Sequence, residues 1–133
     1  MPKPVSPFPT DLELEILKIL WETAPQTVSE IREALAEGGR DLAHTTVITT
    51  LGTMVSKKQI KKLEPESGKA FRFVPLVEHQ DVSRRMLGDL FERVFAGSAE
   101  AVVQGLFDVA DLDQEELAQL RKLLNKKTKE SRE

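Results

Sequence analysis

The sequence predicts a mostly helical protein that also contains a small β-hairpin. Amphipathic helical patterns occupy most of residues 10–57, an alternating pattern with a turn follows at 60–74, and helical patterns return in the last 56 residues, 78–133. Three helices followed by a hairpin form a winged helix-turn-helix. We therefore expect a winged-helix domain at 10–77, a second helical domain at 78–133 and a flexible tail at 1–9.

The first two helices are marked by their N-terminal capping residues. Thr10 is a favoured N-cap and precedes a broad apolar face. Thr27 and Glu30 have the spacing of a capping box, in which each side chain binds the backbone N–H of the other residue. The glycine pair that begins at Gly38 then ends the second helix.

The third helical segment, residues 43–57, combines two conflicting signals. Six consecutive β-branched residues at 45–50 favour a strand, yet the apolar residues recur with the 3.6-residue period of a helix. These apolar residues are Val47, Ile48, Leu51, Met54 and Val55. We predict a helix, because the period extends over the whole segment.

The outer face of this third helix carries no charge between Ala43 and Ser56. It presents threonines, whose hydroxyl and methyl groups suit base edges and thymine methyls in the major groove of DNA. Packing of this face against another protein surface is the alternative. His44 is expected either to touch phosphate or a base, or to help cap the helix.

A basic hairpin is predicted after the third helix. Strands at 60–64 and 70–74 are separated by a Pro-Glu-Ser-Gly turn, and in the second strand Phe71 and Phe73 alternate with Arg72. A two-stranded hairpin needs a helical layer over its apolar face, and the three helices supply one. The hairpin is therefore predicted to be the wing.

The charge of the chain is unevenly distributed. The net charge is −3, which by itself argues against nucleic acid. Residues 57–72, however, contain six Lys or Arg and two Glu, a local charge of 6 − 2 = +4. Such a local patch matters more for phosphate binding than the whole-chain charge. An ordinary solvated surface is the alternative explanation.

Three further helices are predicted in residues 78–133, the last two with Ser98 and Asp113 as N-caps. A region of this size buries too little surface to be stable alone, so we expect a C₂ homodimer. Folding back onto the N-terminal part and docking on a different protein are the alternatives. The expected interface residues are Leu87, Leu90, Phe91, Val94, Phe95, Val102, Val103, Leu106, Phe107, Leu117, Leu120 and Leu124.

We find no catalytic or metal-binding pattern. The chain has no cysteine and no Gly-rich phosphate loop, and His44 and His79 lack the spacing of metal ligands. We therefore expect a protein that is not an enzyme and uses no cofactor or metal. The chain contains neither a run of about 18 apolar residues nor a signal-peptide pattern, so we expect no membrane partner and a cytoplasmic location.

Several segments together resemble the penicillinase-repressor family of bacterial transcription regulators, the BlaI/MecI type. They are ILW followed by P and TV in residues 19–28, TTV and Leu51 in the third helix, and GKAFRFVPLV at 68–77. The resemblance extends from about Thr10 to Leu124. It implies a homodimer that represses transcription from palindromic operators, with the winged helix on DNA and the C-terminal helices interlocked with the partner.

The resemblance also implies roles for single residues. It assigns the recognition helix to His44, Thr45, Thr46, Thr49 and Thr50, and the wing to Lys69 and Arg72.

The chain departs from the family at several positions. Thr53 stands where members often have arginine, and Lys58 replaces the glycine that usually follows this helix. Some members are inactivated by cleavage at an Asn–Phe bond, whereas the matching position here is Gly105-Leu106, so a regulatory protease stays an open question. The copper-responsive relatives carry a cysteine-rich tail, which this chain lacks, so copper sensing by that route is not expected.

These observations favour a dimeric, sequence-specific repressor that binds palindromic double-stranded DNA. The residues expected to neutralise phosphates are Lys57, Lys58, Lys61, Lys69 and Arg72. The alternative is a winged-helix module that binds proteins and not DNA. Acidic residues that neutralise the basic patch in the folded protein would favour this alternative. The operator, the regulated genes and the inducing signal are not encoded in any pattern that we recognise.

Overall fold

The computed structural model describes residues 8–66 and 68–132. The chain divides into two compact units, Met1–Leu87 and Gly88–Glu133. Residues 1–7 of the predicted flexible tail lie outside the described residues, as does Ser67 of the predicted turn.

The first unit begins with three helices, α1 (Asp11–Glu22), α2 (Val28–Glu37) and α3 (His44–Ser56). Both predicted N-caps are confirmed. Thr10 and Thr27 each accept a hydrogen bond from the backbone N–H three residues later, and each helix has the reciprocal bond of a full capping box. The helical prediction for the threonine-rich segment is also confirmed, since α3 spans 13 residues.

A three-stranded antiparallel sheet completes the fold of the first unit. Its strands are β1 (Gln26–Thr27), β2 (Ile60–Leu63) and β3 (Arg72–Pro75), in the order β1-β3-β2. The two-residue β1 was not predicted, because so short a segment has no alternation to detect. The strand β3 begins two residues later than predicted, so that Phe71 precedes it and is 40% exposed.

The core of the first unit lies between the helices and the inner face of the sheet. On α3 it includes Val47, Leu51 and Met54, which are at most 1% exposed. Ile48 differs from the sequence prediction, because it is 47% exposed although it follows the apolar period. It lies on the flank of α3 and not at the centre of the buried stripe.

The helix α4 (His79–Arg93) continues from the first unit into the second. Its first turns belong to the first unit, where Val82 is buried and the Trp21 Nε1–H donates to the Val77 carbonyl oxygen at 2.8 Å. The Trp21 and His79 rings lie 4.9 Å apart. The predicted domain limit at residue 78 stays a prediction, while the compact units divide ten residues later.

The second unit also contains α5 (Ala99–Val109) and α6 (Gln114–Ser131). The Ser98 and Asp113 N-caps are confirmed, because each side chain accepts a backbone N–H from the first turn. Neither helix contains a buried residue. Among the described residues, no helix has the length and apolar character that a membrane span requires.

Candidate nucleic-acid interface

The helix α3 turns its threonines to the surface because its other face is committed to the core. Thr45, Thr46 and Thr49 are exposed together with His44, and Thr50 is half-buried at the edge of the helix. The four threonines that were predicted to recognise DNA therefore share one accessible side of α3, and His44 lies at the exposed start of the helix. No charged side chain occurs along this side.

Two threonine hydroxyls on α3 are already engaged as donors. Thr50 Oγ1 donates to the Thr46 carbonyl oxygen at 2.8 Å, and Thr53 Oγ1 donates to the Thr49 carbonyl oxygen at 3.2 Å. Such back-bonding leaves the methyl group and the oxygen lone pairs available. These side chains can therefore contact a thymine methyl or accept from a base amino group.

The backbone N–H groups at the N-terminus of α3, where His44 lies, have no side-chain cap. Its N-cap is Ala43, whose side chain makes no capping bond, in contrast to the threonine caps of α1 and α2. The first backbone N–H groups of α3 thus keep their donor capacity. Together with the helix dipole they favour a phosphate or another anion at this end.

The C-terminus of α3 places Lys58 in an unusual backbone conformation. Lys58 has a φ of 62°, in the left-handed region. Its N–H donates to the Val55 carbonyl oxygen at 3.0 Å, and the Gln59 N–H donates to the Met54 carbonyl oxygen at 2.9 Å. These are the two bonds of a Schellman motif, formed here with lysine where glycine is usual.

Lys57 does not lie on the accessible surface, and the expectation that it neutralises a phosphate is corrected. Its ammonium donates to both carboxylate oxygens of Glu13, at 2.9 and 3.1 Å. The side chains of Lys57 and Glu13 are 14% and 4% exposed, respectively. A lysine that neutralises a buried carboxylate is not available to DNA.

Several contacts determine the charge state of Glu13. Burial raises the pKa of the Glu13 carboxyl, but the N–H of Thr10 and the ammonium of Lys57 outweigh burial and hold that pKa below its usual 4.5. The burial of Glu13 was not predicted from the sequence. Its position with Ile16, Leu17 and Leu20 on the buried side of α1 was a detectable signal.

The wing residues fall into two groups. Lys69 and Arg72 both lie near Glu66, with nitrogen-to-oxygen distances of 3.4 and 3.9 Å. Lys58 and Lys61 are exposed and form no ion pair with any described residue. One acid therefore offsets part of the wing charge, and two of the predicted phosphate contacts are free.

The wing lies beside α3. A cleft of about 330 Å³ is lined by Ile48 and Val55 from α3 and by Lys62 and Phe71 from the hairpin. The threonine side of α3 and the basic hairpin are thus neighbours in the first unit. His79, by contrast, contacts Trp21, and the described residues hold no cluster of three or more His, Asp or Glu that could bind a metal.

The residues predicted for a dimer interface are largely uncovered. Most of them are more than 40% exposed: Leu87, Leu90, Val94, Val103, Leu106, Phe107, Leu117 and Leu124. The remaining four are partly buried: Phe91, Phe95, Val102 and Leu120. Exposed apolar residues in such number are typical of interaction surfaces when they form a contiguous patch.

Comparison with known proteins gives a consistent assignment. A family model described as "Penicillinase repressor" matches residues 9–126. The methicillin resistance regulatory protein MecI of Mammaliicoccus sciuri is 27% identical over 115 residues, which cover 86% of this chain and 91% of that protein. The same protein from Staphylococcus aureus is 26% identical over the same coverage.

The transcriptional regulator BlaI of Mycobacterium tuberculosis is 34% identical over 95 residues, which cover 70% of this chain and 67% of that protein. Among solved structures, a variant of ZitR from Lactococcus lactis aligns with a TM-score of 0.45 at 19% identity, over 98% of this chain and 81% of that one.

Proposed function

We propose that this chain, which belongs to the penicillinase-repressor family, represses transcription by binding a palindromic DNA operator as a homodimer. The family model is described as a penicillinase repressor, and the relatives are named as a methicillin resistance regulatory protein and a transcriptional regulator. The operator symmetry, the dimer and the contact residues are our proposal. The observation that carries it is the uncharged threonine side of α3 next to a basic hairpin.

Base recognition is assigned to α3. His44, Thr45, Thr46 and Thr49 enter the major groove, with Thr50 at the edge, and hydroxyl and methyl groups contact base edges. The open N-terminus of the helix binds a phosphate beside the groove.

Phosphate contacts are assigned to the wing and to the end of α3. Lys58 and Lys61 are exposed and unpaired among the described residues, so they contribute directly. Lys69 and Arg72 contribute once they leave Glu66. Lys57 is not part of the interface that we propose.

The second unit is assigned to dimerisation. Its helices α5 and α6 bury no residue within the chain, and Val103, Phe107 and Leu124 are 47%, 48% and 66% exposed. A second copy of the same chain covers such surfaces with C₂ symmetry. The two recognition helices of a dimer then lie about 34 Å apart, or a multiple of it, on a palindrome.

A protein-binding winged helix is the second candidate function. One observation favours it, since Glu66 neutralises part of the basic patch. The free Lys58 and Lys61 and the uncharged side of α3 weigh against it.

The experiment that tests the proposal is selection of bound DNA from a random pool with purified full-length protein. We expect a palindrome to emerge. A pool that shows no enrichment would support the protein-binding alternative. Sedimentation of the free protein tests the dimer separately, and a monomer at micromolar concentration would contradict it.

Two variants divide the roles of α3 and the wing. Thr46→Ala should relax sequence preference at one position of each half-site, by about 1 kcal/mol. Lys69→Ala should weaken the selected site and random DNA about equally. Equal loss on both DNAs with both variants would contradict this division, and competition binding assays measure it.

The inducing signal is not assigned. Gly105 and Leu106, which match the cleavage position of some family members, lie inside α5. Gly105 is also close to the Phe95 ring, since a Cβ added to it would lie 3.5 Å from a ring carbon. Proteolysis at this bond is therefore not part of the proposed function.

A further inference from the structure

The first unit contains an apolar cleft whose lining no part of the proposed function uses. The cleft measures about 330 Å³ and lies between one flank of α3, the start of α2 and the inner face of the hairpin. Its wall is formed by Val28, Ile48, Gly52, Val55 and Phe71, with Lys62 at the edge. Ile48 and Phe71 remain 47% and 40% exposed along it. This size lies at the lower end of the range for sites that bind small molecules.

Gly52 lines this cleft without a side chain. A Cβ built on Gly52 would meet no atom within 4 Å, and its φ is not in the left-handed region. Neither close packing nor backbone conformation in the first unit therefore requires glycine here. Glycine inside a helix is destabilising relative to alanine. The side of α3 at Gly52 therefore has room for a larger side chain.

Lys62 places an ammonium group at the edge of the cleft. In β2 it pairs with the buried Phe73 of β3, so it lies on the inner face of the hairpin, on the same side as Ile60. Its ammonium is 3.9 Å from the centroid of the Phe71 ring. It forms no ion pair with any described carboxylate, so it can accept an anionic partner.

We propose that this cleft binds a small aromatic carboxylate. The aromatic body lies between Ile48, Val55 and the Phe71 ring, where it replaces water on apolar surface. The carboxylate accepts a hydrogen bond from the Lys62 ammonium at the edge. A neutral aromatic molecule would form no ion pair with Lys62, and a purely polar anion would leave the apolar wall exposed to water.

The cleft can be occupied in the absence of DNA, although it lies next to the proposed DNA surface. Ile48 and Gly52 lie on α3, the helix to which base recognition is assigned. A bound carboxylate would therefore place a negative charge beside the DNA surface and weaken operator binding. This consequence depends on the proposed function, whereas occupancy of the cleft does not.

The experiment is a titration of the full chain with 2-naphthoate, in the absence of DNA, followed by NMR of isotope-labelled Ile and Val methyl groups. The methyl signals of Ile48 and Val55 should shift on binding. The neutral analogue 2-naphthamide should bind about fivefold more weakly, because it lacks the charge that Lys62 recognises.

Three variants make the assignment specific. Lys62→Gln should lower naphthoate affinity about fivefold and leave naphthamide affinity unchanged. Lys61→Gln removes an equal charge from the same strand but from the opposite face, where Lys61 pairs with Val74, and should change neither affinity. Gly52→Leu should fill the cleft and abolish binding of both probes, with its helical circular dichroism confirming that it folds.

Shifts confined to the exposed apolar residues of the second unit would overturn the proposal. So would equal affinity for the two probes together with no effect of Lys62→Gln. Because the titration contains no DNA, neither result bears on whether the protein binds an operator.

Discussion

Glu13 is a charged residue in an apolar core, and its only charged partner among the described residues is Lys57. The carboxylate is 4% exposed and accepts two hydrogen bonds from the Lys57 ammonium, 44 positions later in the chain. Removing one partner of a buried pair leaves the other charge uncompensated. The pair therefore joins the start of α1 to the end of α3.

The pH dependence of stability should report on this pair. Since the pKa of Glu13 is held below its usual 4.5, the folded state binds its proton less readily than the unfolded state. The resulting stabilisation is present above about pH 4.5 and is lost as pH falls through the lower folded pKa. Glu13→Gln should lower the free energy of unfolding at pH 7 by about 2 kcal/mol.

Urea denaturation at pH 7 and at about pH 3.5 measures this effect. The Glu13→Gln variant should lose less stability on acidification than the parent protein does. Glu33→Gln, which changes an exposed carboxyl on α2, is the matched control and should retain the parent's pH dependence. An unchanged pH profile in Glu13→Gln would show that the pair does not control acid stability.

Single residues also show what the sequence could predict. Val47, Leu51 and Met54 are buried as their spacing requires, because the period of a helix fixes which residues share a face. The period also included Ile48, yet its exposure depends on where the hairpin lies, which local spacing does not contain. The ion pair between Lys57 and Glu13 could not be predicted either, because the two residues are far apart in the sequence and meet only in the folded chain.

At the scale of elements, the end of α3 combines a structural requirement with a functional charge. Lys58 occupies the left-handed position of a Schellman motif, with a φ of 62°. A non-glycine residue in this conformation costs roughly 1–2 kcal/mol. Strain of this kind is often retained where a side chain is needed for function.

Lys58→Gly should therefore change stability and DNA binding in opposite directions. Glycine relieves the left-handed conformation but enlarges the unfolded ensemble, so a net gain of about 0.5–1 kcal/mol in the free energy of unfolding is expected. The same change removes one phosphate contact from each subunit and should weaken both specific and random DNA. Thermal denaturation and DNA titration measure the two effects.

Lys58→Gln separates these contributions. It removes the charge while keeping a side chain at the left-handed position, so DNA binding should weaken without a gain in stability. If Lys58→Gly instead leaves DNA affinity unchanged, the ammonium has no role in the interface and the strain requires another explanation.

The helices were more predictable than the sheet, and the reason is physical. The caps at Thr10, Thr27, Ser98 and Asp113 act within one helical turn, so each start could be predicted from nearby residues. The strand β1 has only two residues and exists because β3 pairs with it. Such pairing depends on tertiary arrangement and leaves no local pattern.

For the whole molecule, the distribution of charge matters more than the net charge of −3. The basic patch that we predicted at 57–72 contains six cations, but Lys57 is neutralised in the core and Glu66 lies near both Lys69 and Arg72. The patch is therefore weaker than its composition indicated. If Lys58, Lys61, Lys69 and Arg72 each contact a phosphate in both subunits, log affinity should fall with log salt with a slope of about −7.

Glu66→Gln tests this description of the wing. The change removes the acid that competes with phosphate for Lys69 and Arg72, so affinity for random DNA should rise about threefold at about 50 mM salt, and the gain should shrink as salt screens these exposed charges. Specific affinity should rise by about the same factor as random affinity, because base contacts on α3 are untouched. Glu22→Gln, with the same change in net charge at an exposed position on α1, should have little effect. Equal gains in both variants would mean that net charge, and not the wing pair, limits DNA binding.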